Sequence, residues 1–441
     1  MTGGLQPYPE YRESGLPWLG RIPAHWEVRR NGRLFSQRNE TGFADLPILE
    51  VSLKTGVRVR NFGEGKRKQI MADHAKYKRA VRADIAYNMM RLWQGAVGVA
   101  PVDGLVSPAY VVANPHPGVD SRYYTYLFRI GAYMEEVNKY SHGIVTDRNR
   151  LYWDEFKQMP SVFPPPEEQR AITRYLDRQN LVISRLIQAK RTLISVLNEQ
   201  KQAIIHRAVT CGLDPKVRLK PSGILWLGDV PEDWGIKRLK WVVRLQRGYD
   251  LPSEKREPGT VPVVSSGGVI DTHSKSRAKG PGVAMGRYGS TDSVFYIEQD
   301  FWPHNTALFV TDFQGNVERW CYYMLRTISK GDYAGKSAVP GVDRKDLYEI
   351  VVPVPPRNEQ MTVAESLDSR LAELNRATET IYHEIDLTRE YRARLIADVV
   401  TGRIDIREAA CSLPAETEEP EVISEAETEE DAELIPEESD E

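Results

Sequence analysis

Two stretches of this chain, Glu167–Val209 and Asn358–Thr401, contain neither proline nor glycine. Nothing else in the sequence narrows the fold as far. Proline removes a backbone donor and glycine costs backbone entropy, so their joint absence over such a length favours a long helix. Prolines stop just before each stretch, and Glu and Gln occupy the first turn, as at a helix start. Apolar residues recur every seventh position: Leu176, Ile183, Leu197 and Ile204, with Lys190 in the gap. The second set is Leu367, Leu374, Ile381 and Leu395, with Thr388 in the gap. Such a repeat is the pattern of a coiled-coil seam. Roughly 43 residues at about 1.5 Å each predict rods of about 65 Å. Each helix packing on its own domain is the alternative. Two seams in one register, with a domain between them as the return path, predict an antiparallel pair instead.

The helices are parts of a larger duplication. "SGLPWLGRIPAHW" (Ser14–Trp26) returns as "SGILWLGDVPEDW" (Ser222–Trp234), 208 positions later. "PPPEEQRAITRYLD" (Pro164–Asp177) returns as "PPRNEQMTVAESLD" (Pro355–Asp368), 191 positions later. The second offset holds to the helix ends, where "AVTCGLD" (Ala208–Asp214) meets "VVTGRID" (Val399–Asp405). Each half is an opening phrase, a divergent middle and a closing helix. A period this long is no solenoid unit. The middles, 27–163 and 235–354, mix short β-rich runs such as "GAVGVAPV" and "ALFVTDF" with turns. Each also carries a helical run, "YYTYLFRIGAYMEEVNKYS" and "ERWCYYMLRTIS". The predicted fold is α+β: two domains of mixed strands and helices separated by two long helices forming an antiparallel coiled coil. The expected boundaries are 1–165 and 213–356 for the domains, 166–212 and 357–405 for the helices.

Residues 406–441 are predicted to be a disordered acidic tail. Residues 412–441 hold 14 Asp or Glu and no Lys or Arg, and few residues that pack. They mask the charge of the rest: of the net −3, residues 1–411 alone carry +11. A basic folded part is compatible with a polyanionic partner. No apolar run approaches the roughly 18 residues that cross a bilayer, so no membrane partner is expected. The start, "MTGGLQPYPEYRESG", shows no signal pattern, and the three cysteines are widely spaced. Both fit a cytoplasmic protein.

The layout resembles the DNA-specificity subunit of type I restriction-modification enzymes over about residues 14–405. The carriers are the two "SGxxWLGxxPxxW" phrases, the two "PPxxEQ" helix starts and "VVTGRIDIRE" (Val399–Glu408). "SPAY" (Ser107–Tyr110) and "SAVPGVDRKDL" (Ser337–Leu347) also match the ends of that family's variable domains. The resemblance implies that each middle is a target recognition domain reading one half of a split site on double-stranded DNA. It implies that the coil sets the gap between half-sites and that two methylation subunits dock near it, joined by restriction subunits. This chain would then bind no cofactor, and S-adenosylmethionine would belong to the methylation subunits.

Two other readings are a self-contained nuclease or methyltransferase, and a scaffold that uses the coil only for assembly. The Pro-Pro pairs lack the preceding Asn or Asp of an adenine methyltransferase loop. "GDYAGKS" (Gly331–Ser337) is one residue short of a phosphate-binding loop. Glu64-Gly65-Lys66 and Asp343-Arg344-Lys345 supply only the short half of a nuclease motif, and no HxxxH or CxxC pair suggests zinc. No catalytic or metal-binding residue is assigned.

The DNA-contacting candidates are basic or polar residues near glycines, which let a loop approach a groove. In the first middle they are Lys66, Arg67, Lys68, Lys76, Lys78 and Arg79, with Tyr77 among them, then His142, Thr146, Arg148 and Asn149 in the loop before the helix. In the second they are Lys275, Arg277, Lys279, Arg287 and Tyr288, then Lys336, Ser337, Arg344 and Lys345. The paired tryptophans, Trp18 and Trp26, Trp226 and Trp234, read as structural anchors that pin each middle to a helix junction.

Overall fold

A computed structural model describes residues 5–53, 55–60, 74–142, 149–287, 293–328 and 342–413. Two helices dominate it, Pro166–Cys211 and Arg357–Val400. The chain divides into two compact units, 1–190 with 383–441, and 191–382. The division falls inside the long helices, so each unit holds one mixed domain and part of both helices.

The first unit is built on a four-stranded antiparallel sheet. Its spatial order is Phe35–Arg38, Tyr110–Pro115, Ile85–Asn88, Val97–Val99. Ile85, Tyr87, Val97, Val111 and Ala113 face a core shared with Tyr123, Tyr124, Leu127 and Phe128 of the helix Ser121–Phe128. The helical run read from the sequence breaks after Phe128, and a second helix spans Gly131–Tyr140. The second unit repeats this sheet as Arg244–Arg247, Ala307–Asp312, Gly282–Gly286, Val294–Ile297. The helix Glu318–Thr327 covers it. Two short strand pairs also recur. Tyr11–Glu13 with Arg21–Pro23 matches Leu219–Pro221 with Asp229–Pro231, and Glu27–Arg30 with Pro160–Phe163 matches Gly235–Arg238 with Val351–Val354.

The middles that diverge in sequence are therefore one fold used twice. Buried strands ask only for apolar residues at the right period, so the sheet persists while the letters change. The additions differ. The first unit adds the hairpin Leu49–Ser52 with Gly56–Val59 and the pair Lys78–Ala80 with Gly104–Val106. The second adds a three-stranded sheet of Val261–Ser265, Gly268–His273 and Trp302–Pro303.

In each unit the two long helices pair antiparallel. In the first, Ile172 and Leu176 pack with Leu395, Val399 and Val400, while Lys190 Nζ donates to Glu384 Oε2 at 2.5 Å. In the second, Ile205, Ala208 and Val209 pack with Val363, Ala364 and Leu367, and Lys201 Nζ donates to Thr378 Oγ1 at 2.8 Å. The seam is wider than the heptad reading. Ile187, Ile194, Lys201 and Ala208, each four residues after a heptad position, are buried, whereas Leu197 and Ile204 are only half-buried. Alternating three- and four-residue steps make both sets one stripe.

The boundary of the acidic tail needs correction. Ile406 and Ala410 are buried in the first unit's core, and Arg407–Cys411 is a short helix. Arg407 stacks on Tyr8, and Gln6 bridges to Asp405. The apolar content of 406–413 is sparse, but the N-terminal segment covers it. Residues 414–441 lie outside the described residues.

Candidate nucleic-acid interface

The repeated motif residues do the same work in both units. Gln169 donates from Nε2 to the Pro164 carbonyl at 2.8 Å and accepts from the Asp120 backbone N–H at 2.9 Å. Gln360 donates to the Pro355 carbonyl at 2.9 Å and accepts from the Val317 N–H at 2.8 Å. Asp120 and Val317 each immediately precede the helix that covers the sheet, so this glutamine ties a long helix to its domain. Two turns on, Asp177 takes Tyr126 and Arg122, both at 2.7 Å. Asp368 takes Tyr323 and Arg319 in the same way. Burial, first, and the Asp177 charge push the Tyr126 phenol well above its ordinary value, so it stays a donor at every ordinary pH.

The opening phrases are held from two sides. Glu168 accepts from the Tyr8 hydroxyl and lies 2.8 Å from His25 Nε2, while Glu359 accepts from Trp234 Nε1 at 2.9 Å. The far helix ends press on one tryptophan of each phrase. A Cβ on Gly402 would lie 2.9 Å from Trp26, and one on Gly212 would lie 3.3 Å from Trp234. Both tryptophans are buried, as expected of anchors. Each phrase is thus clamped between the start of one long helix and the end of the other.

The sequence-derived DNA candidates divide into three groups. Lys66, Arg67, Lys68, Thr146, Arg148, Tyr288, Lys336 and Ser337 lie outside the described residues. A second group is paired with other groups of the protein. Lys78 Nζ donates to the carbonyls of Pro108 and Tyr110, both at 2.8 Å, and burial pushes its pKa down. Arg79 binds Glu40 at 3.2 Å and Asp103 at 3.0 Å, and Tyr77 is buried. Lys78 and Arg79 therefore hold the domain together, a role that a run of basic letters does not reveal. Lys275 pairs with Glu257 at 3.3 Å and Lys279 with Asp300 at 2.9 Å. Asn149 is bonded to Asn138.

The third group is exposed or half-exposed at the surface. His142 and Lys76 are exposed, and Arg287 is half-exposed. Arg344 and Lys345 stand exposed on the first turn of a short helix capped by Asp343. Arg277 is exposed, with its guanidinium over two rings, 5.5 Å from the centroid of Tyr249 and 5.3 Å from that of Trp302. The sequence reading passed over one feature, the exposed Trp241 with Lys240 and Arg244 beside its ring. Its signal was available, since "IKRLKWVVRLQR" carries more basic residues than any equal stretch nearby.

Residues 231–387 match the family model of the type I restriction modification DNA specificity domain. The chain is also 23% identical over 423 residues to the putative type I restriction enzyme MjaX specificity subunit of Methanocaldococcus jannaschii, covering 88% of this chain and 96% of that one. By that domain and that near full-length relative, the chain resembles the DNA-specificity subunits of type I restriction-modification enzymes. A shorter match, 34% identical over 105 residues, joins it to the type I restriction enzyme MjaVIII specificity subunit of the same organism, over 24% of this chain and 23% of that one. A chain from a solved type I restriction-modification assembly superposes with a TM-score of 0.64 at 13% identity, covering 86% of this chain and 98% of that chain. That likeness is one of fold. As a specificity subunit, the protein recognises DNA within a complex whose other subunits carry the chemistry. Among the described residues, no helix is long and apolar enough to cross a membrane.

Proposed function

We propose that this specificity subunit reads a bipartite DNA site, one half-site by each mixed domain, with the paired helices setting the gap. The observation that carries the reading is the twofold clamp: Trp26 and Trp234 each sit between the start of one long helix and the end of the other. Each clamp mounts a domain of the same sheet topology on the paired helices of its own unit. The domains' unlike additions, a hairpin pair in one and a three-stranded sheet in the other, supply different surfaces for different bases. Two methylation subunits dock along the helices and bring S-adenosylmethionine with them, and restriction subunits join that core. Exposed apolar residues support the docking: Val182 and Leu186 in the first unit, Leu193 and Val196 in the second. The complex works in the cytoplasm, where DNA and methyl donor meet.

The test is methylation of random DNA by the chain with its methylation partners, followed by sequencing of the methylated positions. Exchanging residues 236–354 for the equivalent domain of another specificity subunit is expected to change one half-site only. A change in both half-sites together would end the modular reading.

A further inference from the structure

Arg277 stands apart from the other cations around it. Its three basic neighbours each have a carboxylate: Arg256 with Asp271 at 2.9 Å, Lys275 with Glu257 at 3.3 Å, Lys279 with Asp300 at 2.9 Å. Among the described residues, no carboxylate pairs with Arg277. Arg256, Lys275 and Lys279 are thus each balanced by a carboxylate while the Arg277 guanidinium is left for another acceptor, an arrangement suited to a single directed contact.

The guanidinium is also held in place. It lies against both Tyr249 and Trp302, and these rings meet edge-on at a centroid distance of 6.2 Å. Trp302 is buried, and its Nε1 donates to the Tyr249 carbonyl at 3.3 Å. The backbone is pinned too: the Arg277 N–H donates to the Phe301 carbonyl at 3.0 Å, and Ala278 bridges to Phe301. Held over aromatic rings, an arginine keeps its donors in a fixed fork and loses little freedom on binding. That fork matches the O6 and N7 acceptors that guanine presents in the major groove, a match that lysine cannot reproduce. A phosphate can accept from the same fork, but it carries no base identity, so loss of discrimination at one base pair is what separates the two contacts.

We infer that Arg277 is the residue with which the second recognition domain reads a guanine of its half-site. The inference rests on the reading of this chain as the DNA-recognising subunit of its complex. Trp302 and Tyr249 act through Arg277 as positioning residues. The braced arginine belongs to the three-stranded sheet region that the first unit lacks, so it would serve one half-site alone.

The experiment uses the full chain in complex with its methylation subunits and a pooled library of randomised DNA duplexes. Bound molecules are recovered at two salt concentrations and sequenced. The wild type is expected to enrich a site with a guanine in the half-site that changes when residues 236–354 are exchanged. Both R277A and R277K are expected to keep the rest of the site and lose about 10- to 100-fold of discrimination at that one base pair. Melting temperatures of the variants, equal to that of the wild type, would show intact folding. If R277A weakens all sequences alike and R277K restores binding, Arg277 touches phosphate and the assignment is overturned. An unchanged site in both variants overturns it as well. Absence of any enriched site with the wild type would instead overturn the DNA-recognition reading itself, and this assignment with it.

Discussion

The indole N–H of Trp234 donates to the Glu359 carboxylate at 2.9 Å, joining the end of the second opening phrase to the first turn of the second long helix. The indole is buried, so removing its acceptor leaves an unsatisfied donor away from water. Glu359→Ala is expected to destabilise the second unit by about 1–3 kcal/mol. Trp234→Phe should act in the same direction through lost packing and the same lost bond. The double variant should cost less than the two single losses added, because they share one interaction. Chemical denaturation of all four proteins measures the coupling; strictly additive losses would mean that this bond does not join phrase to helix.

The two helix-end glycines offer an independent check of the clamp. Gly212 and Gly402 have φ of 75° and 74°, a region that a Cβ disfavours. The surroundings differ. A Cβ at 402 would meet Pro23 Cδ at 2.5 Å, whereas one at 212 would come no nearer than 3.3 Å to Glu359 or Trp234. Backbone strain alone costs about 1–3 kcal/mol at such a position. Gly402→Ala is therefore expected to lower the melting temperature more than Gly212→Ala. The reverse order would place the tighter junction in the second unit.

The corrected tail boundary separates two truncations. Stopping after Leu413 removes 14 acidic residues and no described contact, so thermal stability is expected to hold. Non-specific DNA binding at low salt should tighten, because negative charge tethered to a basic protein competes with phosphates. Stopping after Asp405 also removes Ile406 and Ala410 from the core and Arg407 from Tyr8. Loss of a buried isoleucine alone costs about 2–5 kcal/mol, so this shorter chain should melt at a clearly lower temperature. Equal melting of the two truncated proteins would return 406–413 to the tail.

What the sequence reveals and hides follows from which residues a structure constrains. Missing prolines and glycines mark the long helices, because either residue would break them. Only half of the seam shows, since Lys201 and Ala208 do not look like core residues. Lys201 becomes legible once Thr378, 177 positions away, is seen to accept from it. The shared sheet is hidden because Ile85 and Val283 need only be apolar. The partners of the basic candidates are hidden for a related reason. Nothing near Lys78 in sequence says that the carbonyls of Pro108 and Tyr110 bind its ammonium group. Arg277 stands out only when Trp302 and Tyr249 are placed under it.

The pairing of Lys190 with Glu384 marks where the ruler reading is best tested. Both helices keep a seven-residue register there, so adding seven residues after Lys190 and seven near Ile381 preserves which residues face each other. Each helix lengthens by about 10.5 Å at about 1.5 Å per residue. At about 3.4 Å per base pair, the gap between half-sites grows by at most about three base pairs. That figure is an upper limit, because the helices need not run parallel to the DNA axis. The duplex also turns by about a third of a revolution over that distance, so overall binding is expected to weaken. The measurement is methylation of a library in which only the gap length varies. A longer preferred gap with both half-sites unchanged is the expected result. An active variant that keeps the original gap would strip the helices of their measuring role and leave them a frame for docking alone.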